Sequence, residues 1–179
     1  MFPRIAVVAV GLAALPSPMH AQVTSSDASA RQAYMEAVAR HYHVSLAEID
    51  VLSDLVGNAE DVPVLLFIAS RAGVTPDVLG TLRRRGAGWD ALARRFQVDP
   101  SSLVVPLGGD MAPRGLERVY LAYRRDARGL VLEDEEVVAL VHLRMLAAIL
   151  ETSPAALAGR ASWSGGYTGL LRTLRQDLP

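Results

Sequence analysis

The sequence contains no cysteine and no lysine. Without cysteine, the chain cannot form a disulfide scaffold, a thiolate nucleophile, or a cysteine-bound zinc or iron–sulfur site. All 18 basic residues are arginine, and alanine and leucine are abundant. This composition is typical of a GC-rich genome rather than of selection for guanidinium chemistry. The fold must therefore be held together by its hydrophobic core.

The chain also has little net charge. Its 179 residues carry a formal net charge of −1, so no global electrostatic field would attract a polyanion. Hydrophobic residues make up 51% of the chain and charged residues only 21%, a balance that excludes intrinsic disorder. The length predicts one domain, or at most two small ones.

Residues 1–21 have the three-part pattern of a secretory signal peptide. Arg4 gives a positively charged start, residues 5–15 are uncharged and almost wholly apolar, and residues 16–21 break this run. The apolar run is about a dozen residues long, short of the roughly 20 that a membrane-spanning helix needs. We therefore expect cleavage near Ala21 and export to the periplasm or the exterior of a bacterial cell. The alternative is a buried N-terminal helix of a cytosolic protein.

No later stretch of the sequence is apolar over the length of a membrane span. Asp61 and Arg71 flank one candidate stretch, and His142 and Arg144 interrupt the other. The mature chain is therefore expected to be soluble, with no transmembrane segment.

The rest of the chain has the periodicity of short helices. Apolar residues recur three and four positions apart in stretches separated by glycine, and almost nothing alternates with period two. Four residues of the N-cap type stand before these stretches, and proline follows three of them: Ser45, Thr75, Asp99 and Ser153. The predicted fold is all-α, a compact bundle of about nine short helices.

One clear interruption divides the helical pattern. Residues 106–113 are rich in proline and glycine and predict a linker. A small, polar segment at 22–29 predicts a flexible start. The first helical half then spans 30–105 and the second spans 114–179, and we expect the two to pack together as one globular unit.

The two halves are similar to one another in sequence. We call the alignment that places Leu65 on Leu143, without gaps, the half-to-half alignment. It pairs similar residue types: Leu65, Ala69, Pro76, Trp89 and Phe96 with Leu143, Ala147, Pro154, Tyr167 and Leu174. A second similarity pairs residues 38–45 with 92–99. Two related helical units would explain these matches, and chance is the alternative. The aligned aromatic residues are predicted core residues, although Trp89 and Tyr167 could instead line a ligand site.

Residues 68–82 resemble the helix-turn-helix of bacterial DNA-binding proteins. They have small alanines in a first helix, Gly73 at the turn, and apolar residues in a second helix. The resemblance implies that the second helix reads bases in the major groove. That helix offers only Thr75, Asp77 and Thr81 to bases, without Asn, Gln or an early Arg for bidentate contacts. Export would also keep the protein away from the nucleoid, so nucleic acid is the less favoured partner.

Five arginines form a predicted basic edge: Arg83, Arg84, Arg85, Arg94 and Arg95. Between residues 71 and 95 there are six arginines and two aspartates. Consecutive residues on a helix point about 100° apart, so at least two of the first three should reach solvent. The five arginines are therefore the candidate binding residues for an anionic partner. The alternative is a solvated face with no ligand.

No pattern in the sequence nominates a catalytic, cofactor or metal site. The chain has no nucleophile elbow, no SxxK pair, no HExxH helix and no phosphate-binding loop. His41 and His43 are close in sequence, but residues two apart on a helix point about 200° from each other and cannot share a metal. At a frayed helix end both could, with Glu36 or Glu48, but no clear third ligand stands out. His142 lies within an apolar stretch, where a packed imidazole is the common outcome. We therefore expect no catalytic residue, no cofactor and no metal.

These observations favour an exported helical protein that acts by binding a protein or an anionic envelope polymer. A helix-turn-helix protein that binds nucleic acid is the first alternative. A small periplasmic hydrolase, with a site assembled from Glu or His residues that the sequence does not single out, is the second.

Overall fold

The computed structural model describes residues 18–163 and 165–177, and the fold over these ranges is all-α, as predicted. It contains ten α-helices: α1 (Pro18–Tyr42), α2 (Leu46–Val56), α3 (Val62–Ala72), α4 (Pro76–Arg84), α5 (Trp89–Arg95), α6 (Pro100–Leu103), α7 (Glu117–Arg125), α8 (Asp134–Ile149), α9 (Pro154–Ala158) and α10 (Tyr167–Asp177). A 3₁₀ turn at Ala59–Asp61 precedes α3. The helix that the sequence pattern did not predict is α6, which has only 4 residues.

The start of the described chain differs from the prediction. Helix α1 begins at Pro18, so residues 22–29, predicted as a flexible start, are helical. No glycine or proline occurs between residues 19 and 42 to break the helix, and adding residues to an existing helix avoids the cost of nucleating a new one. The predicted signal peptide falls mainly on residues 1–17, which lie outside the described residues. Among the described helices, none is both long enough and apolar enough to span a membrane.

Helix α8 forms the centre of the bundle. Nine of its 16 residues are buried, and it packs against α1, α3, α5, α6 and α9. Around it, α2 packs on α4, and α10 packs on α1. One continuous hydrophobic core contains residues from before and after the 106–113 segment. That segment is non-helical and lies between α6 and α7.

Four helix corners share one backbone geometry. Each has a residue just after the helix in the left-handed region, with φ between 49° and 66°: His43, Gly73, Gln97 and Glu151. In each corner the next residue donates its N–H to the carbonyl five positions earlier, at 2.9–3.1 Å. This bond satisfies a carbonyl at the helix end that would otherwise lack a partner. Only glycine adopts this backbone conformation without steric cost, so the surrounding structure must hold the other three residues in place.

The start of the following helix is also alike in the four corners. Each predicted N-cap residue is an N-cap in the structure, although Thr75 makes no side-chain bond. The residue four positions after each N-cap is a fully buried leucine or isoleucine: Ile49, Leu79, Leu103 and Leu157. Each corner therefore combines a local backbone turn with one side chain inserted in the core.

The corners relate directly to the internal sequence similarity. The half-to-half alignment places the corner at Gly73 on the corner at Glu151, and it places the starts of α4 and α5 on those of α9 and α10. The second similarity, which pairs 38–45 with 92–99, places His43 on Gln97. The paired helices differ in length, since α4 has 9 residues and α9 has 5. The similarity in sequence thus has a counterpart in backbone geometry.

Candidate functional site

The basic edge divides into one arginine that points into the protein and four that reach solvent. The Nε of Arg83 donates to Asp61 at 3.1 Å, and its Nη1 donates to Asp134 at 2.9 Å and to the carbonyl of Ala87 at 3.2 Å. Its guanidinium carbon lies 4.9 Å from the ring centroid of Trp89. Asp61 lies in the 3₁₀ turn and Asp134 at the start of α8, so Arg83 connects α4 to both elements.

The inward position of Arg83 follows from the carboxylates around it. Asp61 is only 6% exposed, and a buried carboxylate is costly unless an opposite charge and hydrogen bonds accompany it. Asp134 also accepts the backbone N–H of Trp89, at the start of α5. Arg83 is therefore half-buried and held by two carboxylates, and the other four arginines of the basic edge are the more accessible ones.

The four remaining arginines are exposed. Arg84 and Arg85 lie at the end of α4, where the 100° step between helical residues separates them from Arg83. Arg94 is 54% exposed and pairs with Asp90 at 2.7 Å, one helical turn earlier. The guanidinium carbon of Arg95 lies 5.9 Å from the centroid of the Phe96 ring. The Phe96 ring therefore holds the Arg95 guanidinium next to an apolar side chain, and no carboxylate pairs with Arg95 among the described residues.

An open groove of about 600 Å³ lies between α4 and the end of α5. We call it the α4–α5 groove, and six residues line it: Asp77, Val78, Thr81, Leu82, Arg95 and Phe96. Its α4 residues lie on one helical face, and the same spacing continues that face to Arg84 and Arg85. The groove therefore combines apolar side chains with arginines at one end.

Of the six groove residues, only Arg95 was a predicted binding residue. Asp77 and Thr81 were named only for the helix-turn-helix alternative, and the three apolar residues were not predicted as site residues: Val78, Leu82 and Phe96. Phe96 was predicted as a core residue, by alignment with Leu174. It is only half-buried, while Trp89, Tyr167 and Leu174 are buried as expected. Val78 is 46% exposed and lies next to the buried Leu79. The sequence offered one signal for this exposure: Val78 immediately precedes Leu79, so it lies outside the apolar face that α4 buries.

Helices α3 and α4 form the corner that resembles a helix-turn-helix. Gly73 stands at the turn with φ 66°, and α4 buries Leu79. Of the residues expected to face bases, Thr75 and Asp77 are exposed, and Thr81 is half-buried. The exposed first turn of α4 thus presents a carboxylate, which repels nucleic-acid phosphates, and arginines appear only at the opposite end of the helix.

The histidine pair lies at the first corner. His41 is half-buried and its ring meets the ring of Tyr42 edge to face, with 4.7 Å between centroids. Burial, and then the neighbouring His43, lower the pKa of His41. Within the described ranges, no three His, Asp or Glu side chains are grouped closely enough to hold a metal ion.

A third histidine is fully buried between two tyrosines. The ring of His142 stacks on Tyr167 with 3.7 Å between centroids, its Nδ1 lies 2.8 Å from the carbonyl of Val138, and its Nε2 lies 2.7 Å from the hydroxyl of Tyr34. A carbonyl can only accept, so Nδ1 carries the proton and Nε2 accepts from Tyr34. Burial lowers the pKa of His142 to about 4. With His142 and Tyr34 both 0% exposed, this arrangement is a packed core network.

The α4–α5 groove is the place where the predicted binding residues and an accessible surface coincide. Of the five predicted arginines, Arg95 lines the groove, and Arg84 and Arg85 continue the α4 face that lines it. The floor of the groove supplies apolar contacts. Comparison with known proteins adds no assignment: no family model, no curated protein and no solved structure matches the chain.

Proposed function

We propose that this protein is exported across the inner membrane of a bacterium and acts by binding a polypeptide segment with acidic and apolar side chains. One observation carries the binding proposal: the α4–α5 groove places the exposed Val78 and the half-buried Leu82 and Phe96 beside Arg95. Arg84 and Arg85 extend the same face of α4. The protein is proposed to bind without catalysing a reaction, and to need no cofactor.

The apolar floor of the groove favours a polypeptide over an anionic polysaccharide. Burying apolar surface stabilises a complex only when the partner also brings apolar groups. A volume of about 600 Å³ is enough for a few side chains. Arginine and aromatic residues are the types that contribute most to protein interfaces. Arg95, already restrained against Phe96, would lose little conformational entropy on pairing with a carboxylate.

The same surface is poorly suited to nucleic acid. Asp77 stands in the exposed first turn of α4, where a recognition helix would meet the DNA. Arg83 is already paired with Asp61 and Asp134 and would have to break those bonds to reach a phosphate. The exposed arginines flank the apolar side chains of Val78, Leu82 and Phe96, which cannot hydrogen-bond a sugar–phosphate backbone.

The binding proposal predicts the effect of two single changes. A labelled synthetic peptide of alternating glutamate and leucine should bind the wild-type protein in fluorescence anisotropy, more weakly as salt is raised. Arg95→Glu and Val78→Ser should each weaken this binding by about tenfold or more, because they remove the charged and the apolar contact separately. Arg95→Glu should also flatten the salt dependence.

The matched control is Arg125→Glu, an equal change of charge on an exposed arginine of α7 that does not line the groove. It should leave the affinity unchanged. Equal affinities of wild type and Val78→Ser would contradict the proposal. Duplex DNA, peptidoglycan fragments and anionic vesicles serve as competing probes, and tight DNA binding at physiological salt would instead support the helix-turn-helix hypothesis.

Export is tested separately. A reporter fused after Gln22 should reach the periplasm, because the apolar run at 5–15 supplies the membrane affinity that targeting requires. Val8→Arg places a charge inside that run and should block export. If the unaltered fusion stays in the cytoplasm with Met1 intact, the proposed location is wrong.

A further inference from the structure

Two arginines from different helices, Arg71 of α3 and Arg144 of α8, lie near the ring of Phe67 of α3. The guanidinium carbon of Arg71 lies 5.3 Å from the centroid of the Phe67 ring, and that of Arg144 lies 5.7 Å from the same centroid. Both charges are therefore within contact range of a single ring. We call these three residues the Arg71–Phe67–Arg144 cluster. It lies where α3 packs against α8.

No carboxylate of the described chain neutralises this cluster. The ion pairs formed by described residues involve Arg83, Arg94 and Arg118, but neither Arg71 nor Arg144. Most buried or half-buried arginines in proteins are paired, because an isolated charge loses its hydration without compensation. Neither guanidinium of the cluster is therefore paired with a carboxylate of the described chain: Arg71 is exposed to solvent, and the half-buried Arg144 is bonded only to backbone carbonyls.

Arg144 is held in a fixed position. Its Nη2 donates to the carbonyl of Ser102 at 2.9 Å and contacts that of Leu103 at 3.4 Å, at the end of α6. Its Nε is buried and has no hydrogen-bond partner within the described ranges. A guanidinium oriented in this way loses little conformational entropy when a ligand binds. The buried Nε is not accessible to a ligand, so the donor left for one is Nη1, which makes neither of these bonds.

The ionisable groups around Arg144 add no negative charge at neutral pH. Burial, and then the positive charge of Arg71, lower the pKa of Arg144. The other neighbours are the hydroxyls of Tyr42 and Tyr120, which donate to the carbonyls of Pro63 and Val105. Both tyrosines have pKa values raised by burial and stay neutral. An anion is the group that would relieve the repulsion between the two arginines.

We propose that the Arg71–Phe67–Arg144 cluster binds a phosphate group. Two guanidinium charges match a phosphate, which carries between roughly one and a half and two negative charges at pH 7, better than a carboxylate with one. Arginine also binds phosphate through two parallel N–H···O bonds, a geometry that its planar fork favours. Arg71 is exposed and can close on a phosphate that the fixed Arg144 holds. This site is separate from the α4–α5 groove and does not depend on the function proposed for it.

Calorimetric titration with inorganic phosphate at constant ionic strength tests the proposal. The wild-type protein should bind phosphate saturably and should bind acetate and chloride more weakly. Arg71→Gln should weaken phosphate binding by about tenfold or more, as expected for loss of a charge-assisted bidentate contact. Arg71 is exposed, so this variant should fold like the wild type, which its melting temperature without phosphate would check. Arg125→Gln, which removes an exposed arginine of α7, is the matched control and should keep wild-type affinity.

Arg144→Lys provides a second test, since it keeps the positive charge but removes the fork. It should also weaken phosphate binding, and if it fails to fold, Arg71→Gln alone decides. Vesicles of phosphatidylcholine with phosphatidic acid, whose phosphomonoester carries the charge that the proposal requires, separate the two sources of phosphate. Sedimentation with these vesicles that Arg71→Gln abolishes assigns the site to a lipid headgroup, and phosphate binding without sedimentation assigns it to a soluble phosphate. No saturable phosphate binding, or equal affinities in wild type and Arg71→Gln, overturns the proposal.

Discussion

Trp89→Ala and Tyr167→Ala are each expected to lower the free energy of unfolding by about 3–5 kcal/mol. The two side chains are 0% and 2% exposed and begin α5 and α10, at positions that the half-to-half alignment makes equivalent. Each ring also contacts a neighbouring side chain, and substitution by alanine would remove that contact. The Trp89 ring lies under the guanidinium of Arg83, and the Tyr167 ring stacks on His142. Urea unfolding of the two variants measures both losses.

Two controls accompany these variants. Trp89→Phe should cost much less than Trp89→Ala, because a ring remains and the indole N–H has no partner within the described ranges. Val51→Ala changes a side chain that is 63% exposed and should alter the stability by less than about 0.5 kcal/mol. A strong loss in one alanine variant and none in the other would show that the positions are not equivalent.

The protein is also expected to lose on the order of 3 kcal/mol of stability as the pH falls from about 6.5 to about 4, through His142 alone. Burial lowers the pKa of His142 from 6.5 to about 4 in the folded state. Between these two values the unfolded chain binds a proton that the folded chain excludes. Stability therefore falls as the pH falls through this window. Above pH 6.5 the histidine is neutral in both states, and its contribution no longer changes with pH.

The groups that face His142 do not titrate in this window. Burial raises the pKa values of Tyr34 and Tyr167 above their ordinary value, so both remain neutral. His41 also has a pKa lowered by burial and destabilises the folded state in the same direction, which a His41→Gln variant would measure separately.

The measurement is a series of urea unfolding curves at several pH values. The wild-type protein should lose stability steeply below pH 6.5. The double variant Tyr34→Phe with His142→Leu removes the titrating group together with its hydrogen-bond partner, so its stability should depend much less on pH in the same window. Equal pH dependence in the two proteins would mean that His142 is accessible to protons in the folded state.

Helix starts were largely predictable because capping is local. Ser45, Asp99 and Ser153 accept N–H bonds from residues two or three positions later in the chain, so the residue type and its immediate sequence determine the cap. The N-cap of α6, Asp99, was predicted, but its helix was not, because 4 residues cover only about one helical period and a periodic pattern needs several. The extent of α1 escaped prediction because a small, polar composition is compatible with both a helix and a flexible segment.

The roles of the arginines were not predictable, because they depend on distant partners. Arg83 and Arg84 are adjacent in the same basic run, yet only Arg83 meets carboxylates, which lie 22 and 51 positions away in the chain. The half-buried position of Phe96, in place of a core position, likewise depends on how α4 and α5 pack. The spacing of residue types along the sequence does not predict such contacts.

By itself the sequence determined the all-α class, the N-caps of four helices and most of the predicted core residues, Phe96 being the exception, because helical period, capping and hydrophobic burial act over a few neighbouring positions. Only the tertiary structure decided that Arg83 pairs with two carboxylates, that Val78, Phe96 and Arg95 line one groove, and that Arg71 and Arg144 both lie near the ring of Phe67. Each of these features requires helices distant in the chain to pack at a particular angle and offset. That geometry results from the combined fit of the whole core, which no local pattern in the sequence encodes.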